Sequence, residues 1–121
     1  MQVSYAIEIL RWRRDVGQLG DVVIVHLGNN GTFTARQFDE MMEVLGDERR
    51  VVFVNVKVPL TWENPNNTVI AEGVARHPNT VLADWYSASA YHPEFFVEDG
   101  VHLQTEGQRV YADLIAAQLN Q

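Results

Sequence analysis

The chain has no cysteine in its 121 residues. This excludes disulfides, thiolate nucleophiles and zinc–thiolate sites, yet it says nothing of redox compartment, since any compartment tolerates a cysteine-free chain. Long apolar runs are also missing. Nothing approaches the roughly 20 residues a membrane-spanning helix needs, so no direct membrane insertion is expected. No signal peptide is read at the start, because Met1 leads into an amphipathic segment carrying Glu8 and three arginines. Positive charge is scarce: nine Lys and Arg against sixteen Asp and Glu leave a formal net charge of −7. A nucleic-acid partner is therefore not expected, because phosphate binding needs a basic footprint. The local group Arg11, Arg13 and Arg14 reads as a solvated helix face. Serine is rare too, confined to Ser4, Ser87 and Ser89.

What is present suits one globular domain over residues 1–121, with 46% hydrophobic and 21% charged residues. From Gln2 to Val16, the spacing of Val3, Ala6, Ile7 and Leu10 predicts a helix with one buried face, closed by Gly17. Asp21–Leu27 is a run of β-branched residues, predicted to be a strand covered on both faces and followed by a Gly28-Asn29-Asn30-Gly31 turn. Thr34 and Gln37 make a capping box, with Phe33 and Phe38 as its hydrophobic staple. The helix buries Phe38, Met41, Met42 and Leu45 and stops at Gly46. Val51–Val58 reads as a second strand, apolar apart from Asn55 and Lys57. Asn64-Pro65 reads as N-cap and first-turn proline of a third helix that buries Ile70, Ala71 and Val74. Thr80–Asp84 is a short third strand, Trp85–Val97 an aromatic connection. Thr105 and Gln108 read as a second capping box, opening a last helix packed through Gly107, Val110, Tyr111, Leu114, Ile115 and Leu119. The predicted order is α-β-α-β-α-β-loop-α: a three-layer α/β/α sandwich with a parallel sheet of about three strands.

Two polar features fall where such a sheet does chemistry. The Gly28–Gly31 turn follows a strand at its C-terminal end, the place where open α/β sheets bind ligands. Asn30 can present an amide donor there to a developing oxyanion, a contact typically worth about 3–4 kcal/mol of barrier, or it can simply be a turn residue. Asp99-Gly100-Val101-His102 sets a carboxylate three residues before an imidazole. His102 can take a proton from an alcohol while Asp99 holds its tautomer, or Asp99 can cap a turn beside a surface histidine. Trp62, Trp85, Tyr86 and Tyr91 are candidates for a sugar-stacking platform or for packing. Glu63 can polarise the site or face water. His26, His77 and His92 lack ligand spacing, so no metal site is expected.

Gly28-Asn29-Asn30-Gly31 and Asp99-Gly100-Val101-His102 resemble the third and fifth conserved blocks of the SGNH (GDSL-type) hydrolases. Val54-Asn55-Val56-Lys57-Val58-Pro59 followed by Trp62-Glu63, and later His92-Pro93-Glu94-Phe95-Phe96, look like the SGNH domain of bacterial peptidoglycan O-acetyltransferases and related membrane acyltransferases. The resemblance runs from Gln2 to the end. It implies a flavodoxin-like sheet, no cofactor, and acyl transfer through a serine in a Gly-Asp-Ser block at the end of the first strand. It gives His102 the role of base, Asp99 that of orienting group and Asn30 that of oxyanion donor. No Gly-Asp-Ser occurs here, and none of Ser4, Ser87 and Ser89 has the turn that would expose a nucleophile. The resemblance therefore implies an SGNH domain lacking its first strand or strands, truncated at the N-terminus, without a nucleophile and inactive alone.

Two functions stay open on the sequence. One is a serine esterase or O-acetyltransferase domain acting on acetylated cell-wall glycan or a small acyl ester. The other is a non-catalytic remnant that binds glycan or protein. The resemblance implies an extracytoplasmic location within a membrane-anchored or secreted parent. The family's missing strand would lie beside Asp21–Leu27, and the open apolar edge left there is expected to promote self-association.

Overall fold

A computed structural model describes residues 1–120 of the chain. Three parallel strands, β1 (Val22–Val25), β2 (Arg50–Val54) and β3 (Thr80–Ala83), lie in the order β1-β2-β3. Val23 sits opposite Val51, and Val52 opposite Val81. The helices are α1 (Val3–Asp15), α2 (Ala35–Leu45), α3 (Glu63–Arg76), α4 (Trp85–Ser89) and α5 (Thr105–Leu119). A 3-10 turn at Pro93–Phe95 lies between the last two.

The sandwich follows from the alternation of side chains along β2, since successive residues of a strand point to opposite faces. Val51 and Phe53 join Val3, Ile7, Phe38, Met41, Leu45 and Ile70, so α1, α2 and α3 cover one face. Val52 and Val54 join Trp85, Phe95 and Ile115, so α4 and α5 cover the other. Val51 to Val54 are all buried, which is why the central strand reads as an unbroken apolar run.

β1 departs from the expectation of two covered faces. Val22 and Ile24 are each 47% exposed. They share the face of Val52, which belongs to α4 and α5, and that layer packs over β2 and β3 and meets His26 just past β1 through Tyr111, leaving Val22 and Ile24 largely uncovered. Continuous apolarity thus marks an edge here as well as a buried strand. Other boundaries move for local reasons. α3 starts at Glu63 with Trp62 as its N-cap residue, so Asn64 and Pro65 lie inside the first turn, where proline's missing N–H costs nothing. Ala71 is exposed, not buried. The capping box at Thr34 and Gln37 forms, with bonds of 3.0 and 3.1 Å. The one expected at Thr105 and Gln108 does not: Gln104 is the N-cap residue without a side-chain cap bond, and Thr105 is already helical. Leu119 ends the helix 36% exposed. The aromatic connection after β3 contains α4 and the 3-10 turn, capped at its start by the Asp84 carboxylate accepting from the Ser87 N–H.

Two glycines set close approaches. A β-carbon on Gly73 would lie 2.5 Å from the Phe38 ring, and one on Gly107 would lie 2.3 Å from the Phe95 carbonyl oxygen. The second contact presses α5 against the segment that leads into the Asp99–His102 loop. Gly107→Ala is expected to lower unfolding free energy by about 1–3 kcal/mol, the usual cost of overpacking. Urea denaturation followed by circular dichroism measures it; an unchanged midpoint would contradict the close packing.

Candidate active site

The Asp99–His102 segment closes a short hairpin. Phe96 and Leu103 form an antiparallel bridge, the Val97 N–H donates to the His102 carbonyl at 2.8 Å, and the Gly100 N–H donates to the Val97 carbonyl at 3.0 Å. Gly100 takes φ +72°, in the left-handed region that glycine enters freely. One Asp99 oxygen, Oδ1, accepts from the Val101 and His102 N–H groups at 2.8 and 2.9 Å. The other, Oδ2, meets His102 Nδ1 at 2.5 Å. The bond to His102, followed by the two backbone donors, holds the Asp99 carboxyl down at about 2. An ionised carboxylate only accepts, so the proton of this contact sits on Nδ1 and the lone pair of neutral His102 is on Nε2. The His102 side chain is 81% exposed, which leaves Nε2 open to a reacting group.

The Gly28–Gly31 turn is set by a side chain from another element. Asn66, in the first turns of α3 and fully buried, donates from Nδ2 to the carbonyls of Gly28 at 3.0 Å and Gly31 at 2.7 Å. Its Oδ1 accepts from the Phe33 N–H at 2.8 Å. Trp62 Nε1 donates to the Asn29 carbonyl at 3.1 Å, and Gln2 Nε2 to the Asn30 carbonyl at 2.7 Å. These bonds fix the backbone on both sides of Asn30, whose residue is exposed. Gly28 is at φ +107° and Gly31 at φ +142°, where a side chain would be strained.

After β2 the Asn55 N–H still reaches the Ala83 carbonyl of β3 at 3.3 Å, and beyond it polar side chains hold the chain. Asn67 accepts from the Val56 N–H and donates to the Val56 carbonyl, both at 2.8 Å. Glu63 accepts from the Val58 N–H at 2.7 Å and lies 3.6 Å from the Lys57 ammonium. Glu63 therefore orders the loop. Asn55 donates to Asp84 at 2.8 Å and accepts from the Tyr86 N–H at 2.7 Å. Pro59, at the end of this segment, lies against Gly100. The turn after β1 and the hairpin resting on the segment after β2 thus stand at the same, C-terminal, end of the parallel sheet.

The remaining candidates separate. Trp85 is buried among Phe95, Phe96 and Tyr111, Tyr91 is 91% exposed, Trp62 bonds the Asn29 carbonyl and Tyr86 lies beside Lys57, so the four candidates are used in different ways. The Ser89 hydroxyl is buried and donates to the Trp85 carbonyl at 2.6 Å, while Ser4 lies on α1 and Ser87 on α4. His77 bonds Asp39 and His92 bonds Glu94, in separate places. His26, just past β1, bonds the Tyr111 hydroxyl through Nδ1 at 2.7 Å. Burial lowers its pKa to about 4, so the ring is neutral at ordinary pH. Sequence reasoning passed over Asn66 and Asn67. The available signal was three asparagines in the first turns of a helix, a residue that disfavours helix interiors because its side chain competes for backbone groups.

No protein-family model matches the chain. It is 39% identical over 102 residues to the O-acetyltransferase OatA of Staphylococcus aureus (strain NCTC 8325), covering 84% of this chain and 17% of that protein. It is 34% identical over 114 residues to the putative peptidoglycan O-acetyltransferase YrhL of Bacillus subtilis (strain 168), covering 94% of this chain and 18% of that protein. The chain thus spans about one sixth of the length of these curated relatives. Its fold is similar to that of the C-terminal catalytic domain of Streptococcus pneumoniae peptidoglycan O-acetyltransferase A, solved with a methylsulfonyl adduct. The TM-score is 0.84 at 22% identity, covering 99% of this chain and 75% of that one.

Removing the amide in Asn66→Ala strips the buried Gly28 carbonyl and Phe33 N–H, and the half-buried Gly31 carbonyl, of this partner, and is expected to cost about 3 kcal/mol in urea denaturation. His26 gives a pH prediction. Between its ordinary value of about 6.5 and the depressed value of about 4, the unfolded chain binds a proton the folded chain refuses. The His26 contribution to stability therefore falls as pH drops through that window, by about 3 kcal/mol in total, and is exhausted below pH 4. Thermal melts from pH 7 to 4 should show the fall in the parent and lose it in His26→Gln.

Proposed function

We propose that the chain belongs with the peptidoglycan O-acetyltransferases to which it is similar, and that it carries the base and oxyanion half of an acyl-transfer site acting on acetylated glycan of the peptidoglycan type. His102 is the general base, Asp99 orients it and stabilises its protonated form, and Asn30 donates to the oxyanion. The serine comes from outside these 121 residues. In the complete reaction its Oγ attacks the ester carbonyl while His102 Nε2 takes its proton. The tetrahedral intermediate expels the donor alcohol, which receives that proton, and a sugar hydroxyl or water then resolves the acyl-serine with His102 as base again. The observation that carries this reading is the Asp99–His102 contact, with the carboxylate held ionised and Nε2 exposed. The site works extracytoplasmically in this reading. Among the described residues no helix is long and apolar enough to cross a membrane.

Two measurements test it. The chain alone should not turn over p-nitrophenyl acetate above the buffer rate; a burst abolished by Ser87→Ala or Ser89→Ala would overturn the placement of the nucleophile. The unmatched quarter of the Streptococcus pneumoniae catalytic domain, fused to this chain in the arrangement of that domain, should restore turnover. In that fusion His102→Ala and Asp99→Asn should each cost about 10⁴-fold in kcat and Asn30→Ala about 10²–10³-fold. Turnover indifferent to His102→Ala would sink the assignment.

The β1 edge supports self-association with a second copy of the chain. Its unpaired backbone lies beside exposed Val22 and Ile24, and Tyr5 and Trp12 on α1 are exposed as well. Sedimentation equilibrium should give a dimer in the micromolar range that Ile24→Lys converts to monomer. A monomer in the parent at millimolar concentration would refute the association.

A further inference from the structure

Asn30 and His102 stand on separate loops, and a reaction that uses both needs each of them aimed. A peptide unit is a rigid plane, so the backbone around Asn30 is two plates hinged at its α-carbon. The first plate carries the Asn29 carbonyl and the Asn30 N–H, the second the Asn30 carbonyl and the Gly31 N–H. Each carbonyl is held by a side chain from outside the turn. Trp62 Nε1 donates to the first at 3.1 Å, and Gln2 Nε2 to the second at 2.7 Å. With both plates held, the direction of the Asn30 Cα–Cβ bond follows, and the amide searches its rotamers from a fixed root. Glycine at position 31 makes room for the second donor: a β-carbon there would lie 2.8 Å from Gln2 Oε1.

Trp62 is itself firmly mounted. It ends the turn Pro59-Leu60-Thr61-Trp62, across which the Glu63 N–H donates to the Leu60 carbonyl at 3.2 Å. The Glu63 carboxylate accepts from the Val58 N–H at 2.7 Å, and the Trp62 carbonyl accepts from the Asn66 N–H at 3.0 Å. At the far end of the turn the Pro59 ring packs on Gly100, where a β-carbon would lie 3.4 Å from Pro59 Cγ. Gly100 lies between Asp99 and His102. The turn is thus braced between the two halves of the site. It touches the hairpin through a proline ring and the plane leading into Asn30 through an indole N–H.

We propose that Trp62 is a positioning residue for the acyl-transfer reaction, its indole N–H fixing the aim of the Asn30 amide. The inference rests on the oxyanion role given to Asn30 above and deepens it. Trp62 acts through Asn30 and contributes no group to the ester itself.

The test reads the aim of Asn30 apart from turnover. Trp62→Phe keeps an aromatic ring and removes the N–H donor. In the isotope-labelled 121-residue chain, the three-bond couplings that report φ and χ1 of Asn30 should take single-conformer values in the parent. They should be averaged in Trp62→Phe and in Gln2→Met, which removes the donor to the second plate. In the fusion with the Streptococcus pneumoniae segment, Trp62→Phe should lower kcat about ten-fold with KM for p-nitrophenyl acetate unchanged. That loss should vanish when Asn30→Ala is already present, because an absent amide cannot be misaimed. Averaged couplings in the parent, parent-like couplings in Trp62→Phe, or an equal kcat loss with and without Asn30→Ala would each overturn the proposal. The parent couplings do not depend on any variant folding. A parent fusion without turnover would remove the acyl-transfer reading, while the couplings still decide whether Trp62 fixes Asn30. Turnover sensitive to Asn30→Ala and indifferent to Trp62→Phe would do the reverse.

Discussion

The arrangement at the C-terminal end of the sheet depends on one buried side-chain amide. Asn66 gives two hydrogen bonds to the carbonyls that bracket the Gly28–Gly31 turn and accepts one from the residue after it. Without it the buried Gly28 carbonyl and Phe33 N–H would lose this partner where water does not reach. The turn cannot relax into a different shape without stranding at least one of them. Asn66 is therefore what converts a glycine-rich turn, soft by composition, into a fixed frame for the exposed Asn30. The same helix supplies Asn67 and Glu63 to the segment after β2, so the first turns of α3 set two of the loops around the site.

Much of this was legible in the sequence because it is local. Thr34 and Gln37 are three residues apart and make the capping box their spacing announces. Asp99 and His102 likewise meet within a single turn. The central strand showed itself by an unbroken apolar run, and its two covered faces account for that run. What could not be read is whatever depends on partners far along the chain. Nothing in Val22-Val23-Ile24-Val25 says that α5 leaves Val22 and Ile24 largely uncovered, so an edge strand looked like an inner one. Nothing in Asn64-Pro65 says that the helix begins at Glu63, because the Glu63 carboxylate is held by a backbone group outside the helix. The first turns of α3 are shaped by what their side chains bond, and propensity alone does not carry that information.

Electrostatics divides the histidines into two kinds by their surroundings. His102 stands in water beside an ionised carboxylate, and its proton is directed to Nδ1 by that neighbour. His26 is enclosed by apolar residues next to a tyrosine hydroxyl, and burial alone keeps it neutral. One environment prepares an imidazole to accept a proton and the other withholds protons from it. Both histidines lie near the same end of the sheet, so exposure separates their chemistry where sequence context does not.

The hairpin bridged at Phe96 and Leu103 has a consequence for how the site assembles. Its imidazole and carboxylate are three residues apart, so bringing them together closes almost no loop and costs little chain entropy. The turn that carries Asn30 is held by residues 28 to 38 positions away, and forms only when α1, β1 and α3 have already met. The imidazole is thus aimed by a neighbour three residues away, while the frame around Asn30 is a product of the whole fold.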